Sequence, residues 1–139
     1  MSTAITGANI GVGTQRLIDA STAVIDLEVL KAFNNIKSDD GANIVIELID
    51  LYLHSASQRI ETLVTAVKDG NADLIKQVAH TLKGSSSTLG LLRMARACQQ
   101  LEEAASGSRD DVSALLQLLQ ASFEEAKPSL IAERNRRVV

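Results

Sequence analysis

From Asp26 onward, apolar residues recur every three or four positions, and the segments they define are separated by short polar turns. Asp26 can cap a short helix through about Ile36, with Leu27, Leu30 and Phe33 on one side. SDDGAN (38–43) reads as a turn. A long helix then extends to about Lys68, its stripe carried by Val45, Ile49, Tyr52, Ala56, Ile60, Leu63 and Val67, and Asp69-Gly70-Asn71 stops it. A third helix spans about 72–89 with Leu74, Ile75, Val78, Leu82 and Leu89 on its apolar side, and Gly90 breaks it. Leu91, Met94, Cys98, Leu101 and Ala105 mark a fourth in near-heptad spacing. SGSRD (106–110) is a turn with Asp110 as the expected cap. The fifth helix carries Val112, Leu115, Leu116, Leu119 and Phe123, and Pro128 is expected to end or kink it.

No β-alternation of useful length interrupts this pattern. Four long amphipathic helices joined by short turns predict an all-α chain. Its expected form is an antiparallel four-helix bundle over residues 21–128, with the short first helix packed across one end. Residues 1–20 hold three glycines and no clear period, and read as a flexible arm. Residues 129–139, ending ERNRRVV, read as a basic tail that frays.

Composition narrows the chemistry. The 139 residues fit one compact domain with a tail at each end, and the 45% hydrophobic content is enough for a core. Aromatics are only 2%, so the core is aliphatic and base stacking has no platform; with a net charge of -3, nucleic acid is not the expected partner. Cys98 is the single cysteine, which excludes an internal disulfide and fits a reducing cytosol. No apolar run approaches a membrane span, and the N-terminus lacks the basic-then-apolar order of a signal peptide. These features predict a cytoplasmic protein with no membrane partner. Gly11-Val12-Gly13 is not followed by the Lys-Ser/Thr of a phosphate loop. With two histidines and one cysteine, neither histidine has another His or Cys at i,i+4, so no metal site is expected.

The candidate chemistry lies in HTLKGSSSTLG (80–90), where a helix takes on a glycine, three serines and a threonine directly after a histidine. At about 100° per residue, His80 falls roughly opposite the predicted stripe of the third helix and is expected to reach solvent. Its neighbours on that face are Asp73, Lys76, Gln77, Lys83, Gly84 and Ser87. Gly84, one turn beyond His80, would leave the ring clear for another protein. Lys83 would set an ammonium beside it, suited to a phosphoryl group. On pattern alone, His80 reads first as an ordinary surface histidine, and the serine run as a turn or a fraying helix end. His54 lies off its apolar stripe, with no comparable neighbours.

AHTLKGSSSTLGLLRMARACQQLE (79–102) resembles the signature of histidine-containing phosphotransfer (HPt) domains of multistep two-component phosphorelays. The similar features are a His, a Lys three residues on, a Gly next, small residues, a Leu-Gly break, and a helix ending near Leu-Glu. The helical layout extends the likeness over roughly 24–128. The resemblance implies that His80 receives a phosphoryl group at Nε2 from a receiver-domain aspartate and passes it to another receiver. It implies that Glu102 accepts the Nδ1 proton, that Lys83 faces the phosphate, and that Gly84, with Gln77, Lys76 and Ser87, lies under the docked partner. The expected partners are response-regulator receivers and a hybrid sensor histidine kinase. The chain itself would hold no cofactor, Mg²⁺ coming from the receiver, and would carry phosphoryl groups as a monomer without kinase activity. One rival reading is a helical adaptor that binds receiver or kinase domains without being phosphorylated. Another is a module of a larger hybrid kinase; the starting Met and the arm favour a free-standing protein.

Overall fold

The computed structural model describes residues 24–41, 43–107 and 111–138. The expected arm at 1–20 and the Asp110 cap lie outside them. The described residues form five helices: α1 (Leu27–Lys31), α2 (Ile44–Asp69), α3 (Ala72–Thr88), α4 (Leu92–Ser106) and α5 (Val112–Arg137). The four long helices close a ring, α2 against α3 and α5, and α4 against the same two. Short turns make sequential neighbours antiparallel. The core inside the ring is aliphatic, and Tyr52 and Phe123 meet in it edge to face, with centroids 6.2 Å apart. No helix among the described residues is long and apolar enough to cross a membrane.

Local chemistry sets most boundaries. Asp26, Asn43 and Asn71 each accept a backbone N–H of the helix that follows. Gly70 adopts φ 69° and ends α2, while Asn71 N–H reaches back to Ala66 O at 2.9 Å. Gly90, at φ 74°, turns the chain between α3 and α4, and its carbonyl accepts Asp26 N–H at 2.7 Å, which ties α1 to that turn. A β-carbon on Gly90 would stand 2.7 Å from Asp26 O, so glycine is required there twice over.

The structure departs from the expected elements at two places. The first helix stops at Lys31, not Ile36. Tighter i+3 bonds (Phe33 N to Leu30 O, Asn34 N to Lys31 O) then carry the chain round until Ile36 O accepts Ile44 N. The second departure is larger: α5 passes through Pro128 to Arg137. Pro128 removes one backbone donor, but the buried positions Leu119, Phe123, Ala126, Leu130 and Glu133 continue in register across it. Beyond the proline, Leu130 is fully buried and Arg134 clasps Asp50 of α2 at 2.6 Å. Arg137 donates to Asn34 at 2.9 Å. Residues 129–137, expected to fray, are the packed last turns of a helix.

Candidate functional site

His80 stands on α3 beside Ala79, which is fully buried. The buried positions of α3 are Ile75, Ala79, Leu82 and Ser86, followed by Leu89, while Leu74 and Val78 are only half-buried. The apolar face is therefore turned by about 40° from the predicted stripe, at 100° per residue. The small Ala79 and Ser86 are fully buried, and larger Leu74 and Val78 sit at the rim. His80 consequently lies on the flank of α3 that faces α4, with its side chain 66% exposed.

Glu102 projects from α4 onto that flank. Its Oε2 lies 3.0 Å from His80 Nδ1, and its Oε1 accepts from Lys83 Nζ at 3.2 Å. The neighbour of Glu102, Leu101, is fully buried and fixes the phase of α4 that brings the carboxylate to the rim. Burial pushes the Glu102 carboxyl upward, but the hydrogen bonds and charges of Lys83 and His80 outweigh it and hold it below the ordinary carboxylate range. An ionised carboxylate on Nδ1 favours the tautomer that carries its proton there. The lone pair is then on Nε2, the other nitrogen of a ring that is mostly in solvent. Beneath the site, burial pushes the Cys98 thiol up to about 12; Lys83 lowers it and Glu102 raises it by smaller amounts. This thiol is protonated at neutral pH and is not a nucleophile.

The other candidate residues divide by where their side chains go. Lys76, Gln77, Gly84 and Ser87 are all exposed on α3 around His80. A β-carbon on Gly84 would meet nothing within 4 Å, so no contact inside this chain demands glycine there. Lys83 is not free: it spans to Glu102, and its side chain is 30% exposed. The serine run is not uniformly a surface feature. Ser85 bonds back to Thr81 O, and Ser86 is fully buried with its hydroxyl 2.8 Å from Tyr52 OH. Ser86 is thus a core residue that buries a satisfied hydroxyl between α2 and α3. Ser87 alone of the three is exposed on the His80 side. His54 is exposed on α2.

Sequence reading missed the groove next to the pair. Gln99, Glu103 and Ser106 line it together with Lys83 and Glu102. They lie three positions before and one and four after Glu102, so α-helical spacing around that residue was the available signal. Gln99 donates to Glu103 at 3.1 Å across this surface.

The fold and site define a helical bundle that presents an accessible histidine whose inner nitrogen is held by a carboxylate from the next helix. The Hpt domain matches residues 47–128, more than half of the chain, and the chain belongs to that family, whose role is phosphotransfer in two-component signalling. The structure is similar to that of histidine-containing phosphotransfer protein B (HptB) from Pseudomonas aeruginosa PAO1, with a TM-score of 0.74 and 27% identity over 84% of this chain and 98% of that one. Among curated proteins no sequence matches.

Proposed function

We propose that His80 is the phosphoacceptor of a relay, taking a phosphoryl group from a receiver-domain aspartate and giving it to the aspartate of a response-regulator receiver. The observation that carries this reading is the shared carboxylate: Glu102 holds His80 Nδ1 at 3.0 Å while two thirds of the imidazole side chain remains in solvent. The Nε2 lone pair attacks phosphorus, and the bond from phosphorus to the aspartate oxygen breaks, its electron pair leaving with the carboxylate. Nδ1 keeps its proton in the hydrogen bond to Glu102, so the positive phosphoimidazole is matched by a negative charge. The reverse sequence delivers the group to the second receiver.

Lys83 would exchange its bond to Glu102 for one to the phosphoryl oxygens, a short swing for a flexible ammonium. Gly84, Lys76, Gln77 and Ser87 would lie under the docked receiver. The receiver would bring Mg²⁺ and most of the stabilisation of transferring charge. In this reading the chain is a monomeric cytoplasmic carrier with no kinase activity, served by a hybrid sensor histidine kinase.

The test is incubation with a phosphorylated receiver. Wild type should gain an acid-labile, base-stable phosphoryl group. His80→Gln should gain none while melting as wild type, and His54→Gln should label normally. Normal labelling of His80→Gln would overturn the assignment. Receiver binding without any labelling of wild type would favour the adaptor reading.

A further inference from the structure

A second charged site lies at the end of the bundle where α1, the turn after it and the last turn of α5 meet. A cavity of about 630 Å³ is lined there by Leu27, Lys31, Asn34, Lys37, Asn43, Glu133, Arg136 and Arg137. The Tyr52–Ser86 bond sets α2 against α3, and the helical rise then separates this cavity from His80 by roughly 20 Å along the bundle. It shares no lining residue with the groove beside Lys83 and Glu102.

Four cations line the cavity against one carboxylate. Lys31 also pairs with Glu28 at 3.0 Å, and both side chains of that pair are mostly in solvent. Glu133 is different: it is buried, and both guanidinia converge on it. Arg136 is the first cause, and Arg137 another, of its carboxyl being held below the ordinary range against the upward push of burial. Arg137 is itself only 13% exposed and is fixed by Glu133 O at 2.7 Å, Glu133 Oε1 at 3.0 Å and Asn34 Oδ1 at 2.9 Å. Burying a carboxylate is costly, and here its effect is to lock two guanidinium forks at the edge of a cavity. Among the described lining residues and Glu28, cations outnumber carboxylates by two.

We propose that this cavity is a binding site for a compact phosphate-type polyanion, gripped by Arg136, Arg137, Lys31 and Lys37. Guanidinium forks and ammonium groups together suit tetrahedral oxyanions bearing more than one charge. The volume is within the range of small-ligand sites. No aromatic side chain lines the cavity, so the ligand needs no base to stack. Asp39 and Asp40, on the turn nearby, are not in the lining.

The probe is pyrophosphate, added without metal to the full chain at constant ionic strength and followed by nuclear magnetic resonance and calorimetry. Saturable one-to-one binding is expected, with shifts in the Arg137 side chain and in the backbone of α1 and the end of α5. Inorganic phosphate, with less charge, should bind more weakly. The double variant Lys31→Ala, Lys37→Ala removes two exposed side chains and leaves both pairs of Glu133 in place. It should bind pyrophosphate at least tenfold more weakly, with a melting temperature within about 2 °C of wild type. Four outcomes would overturn the proposal: no saturation by about 10 mM pyrophosphate, equal binding by the double variant, shifts confined to the surroundings of His80, or an equal response to chloride.

Discussion

Gly84 and Gly90 stand six residues apart and are glycine for opposite reasons. Gly90 is needed by this chain: its backbone is left-handed and any side chain would strike Asp26. Gly84 lies in a helix with open space around it, where glycine costs about 1 kcal/mol against alanine. Gly84→Gln should therefore keep or raise the melting temperature and yet slow transfer from a phosphorylated receiver. Undiminished transfer by the folded variant would remove the clearance argument. Lys83 makes a second test. Lys83→Ala releases one side of Glu102, which stays bonded to His80, so the stability cost should be about 1 kcal/mol or less. Phosphotransfer should fall by a much larger factor, read in the same assay. A collapse in stability would make Lys83 a structural residue instead.

At the scale of elements, α5 is where expectation and structure part most. Pro128 lacks an N–H and crowds the preceding turn, which predicts an end or a kink. The helix does not end there because the residues after it have somewhere to go. Leu130 drops into the core, Arg134 reaches Asp50, and Arg137 reaches Asn34. Leu130→Ala should cost about 2–5 kcal/mol in denaturant unfolding, the usual range for a buried leucine. A frayed tail would give nearly nothing. The buried face of α3 shows the same dependence on context. Hydropathy alone ranks Leu74 and Val78 above Ala79 and Ser86, but the small residues are the ones fully buried. The resulting turn of the face moves His80 from opposite the core to the flank where Glu102 can meet it.

At the scale of the whole molecule, two carboxylates gather cations in different ways: Glu102 across two helices, Glu133 within the last turns of α5. Glu102 joins α3 to α4, and Glu133 anchors the guanidinia at the α1–α5 end. Both are held below the ordinary carboxylate range in the folded chain. A lowered folded value means that the unfolded chain binds protons first as pH falls. The stability each contributes is thus complete above about pH 5 and is lost as pH drops through the lowered folded value. Glu133→Gln should cost on the order of 2 kcal/mol at pH 7, because Arg137 is left buried without its counter-charge. The gap from wild type should close as pH falls below about 4, measured by melting across an acid series. A gap that stays constant with pH would show that packing, not charge, holds that end together.

The sequence by itself determined the helices, their order and most of their ends, because periodicity, Asp and Asn caps and the Gly70 and Gly90 turns are local signals. It also determined the family resemblance, since His80, Lys83, Gly84 and Glu102 stand within 23 consecutive residues. Only the tertiary structure decided that Glu102 touches both His80 and Lys83, that Ser86 belongs to the core, and that the helix outlasts Pro128. It alone gathered Lys31, Lys37, Arg136 and Arg137, up to 106 positions apart, around one cavity. The reason is physical. Capping and periodicity act within a few residues of backbone, whereas the rotation of a helix face, the fate of a charge and the tolerance of a proline depend on which surfaces the other helices bring against them.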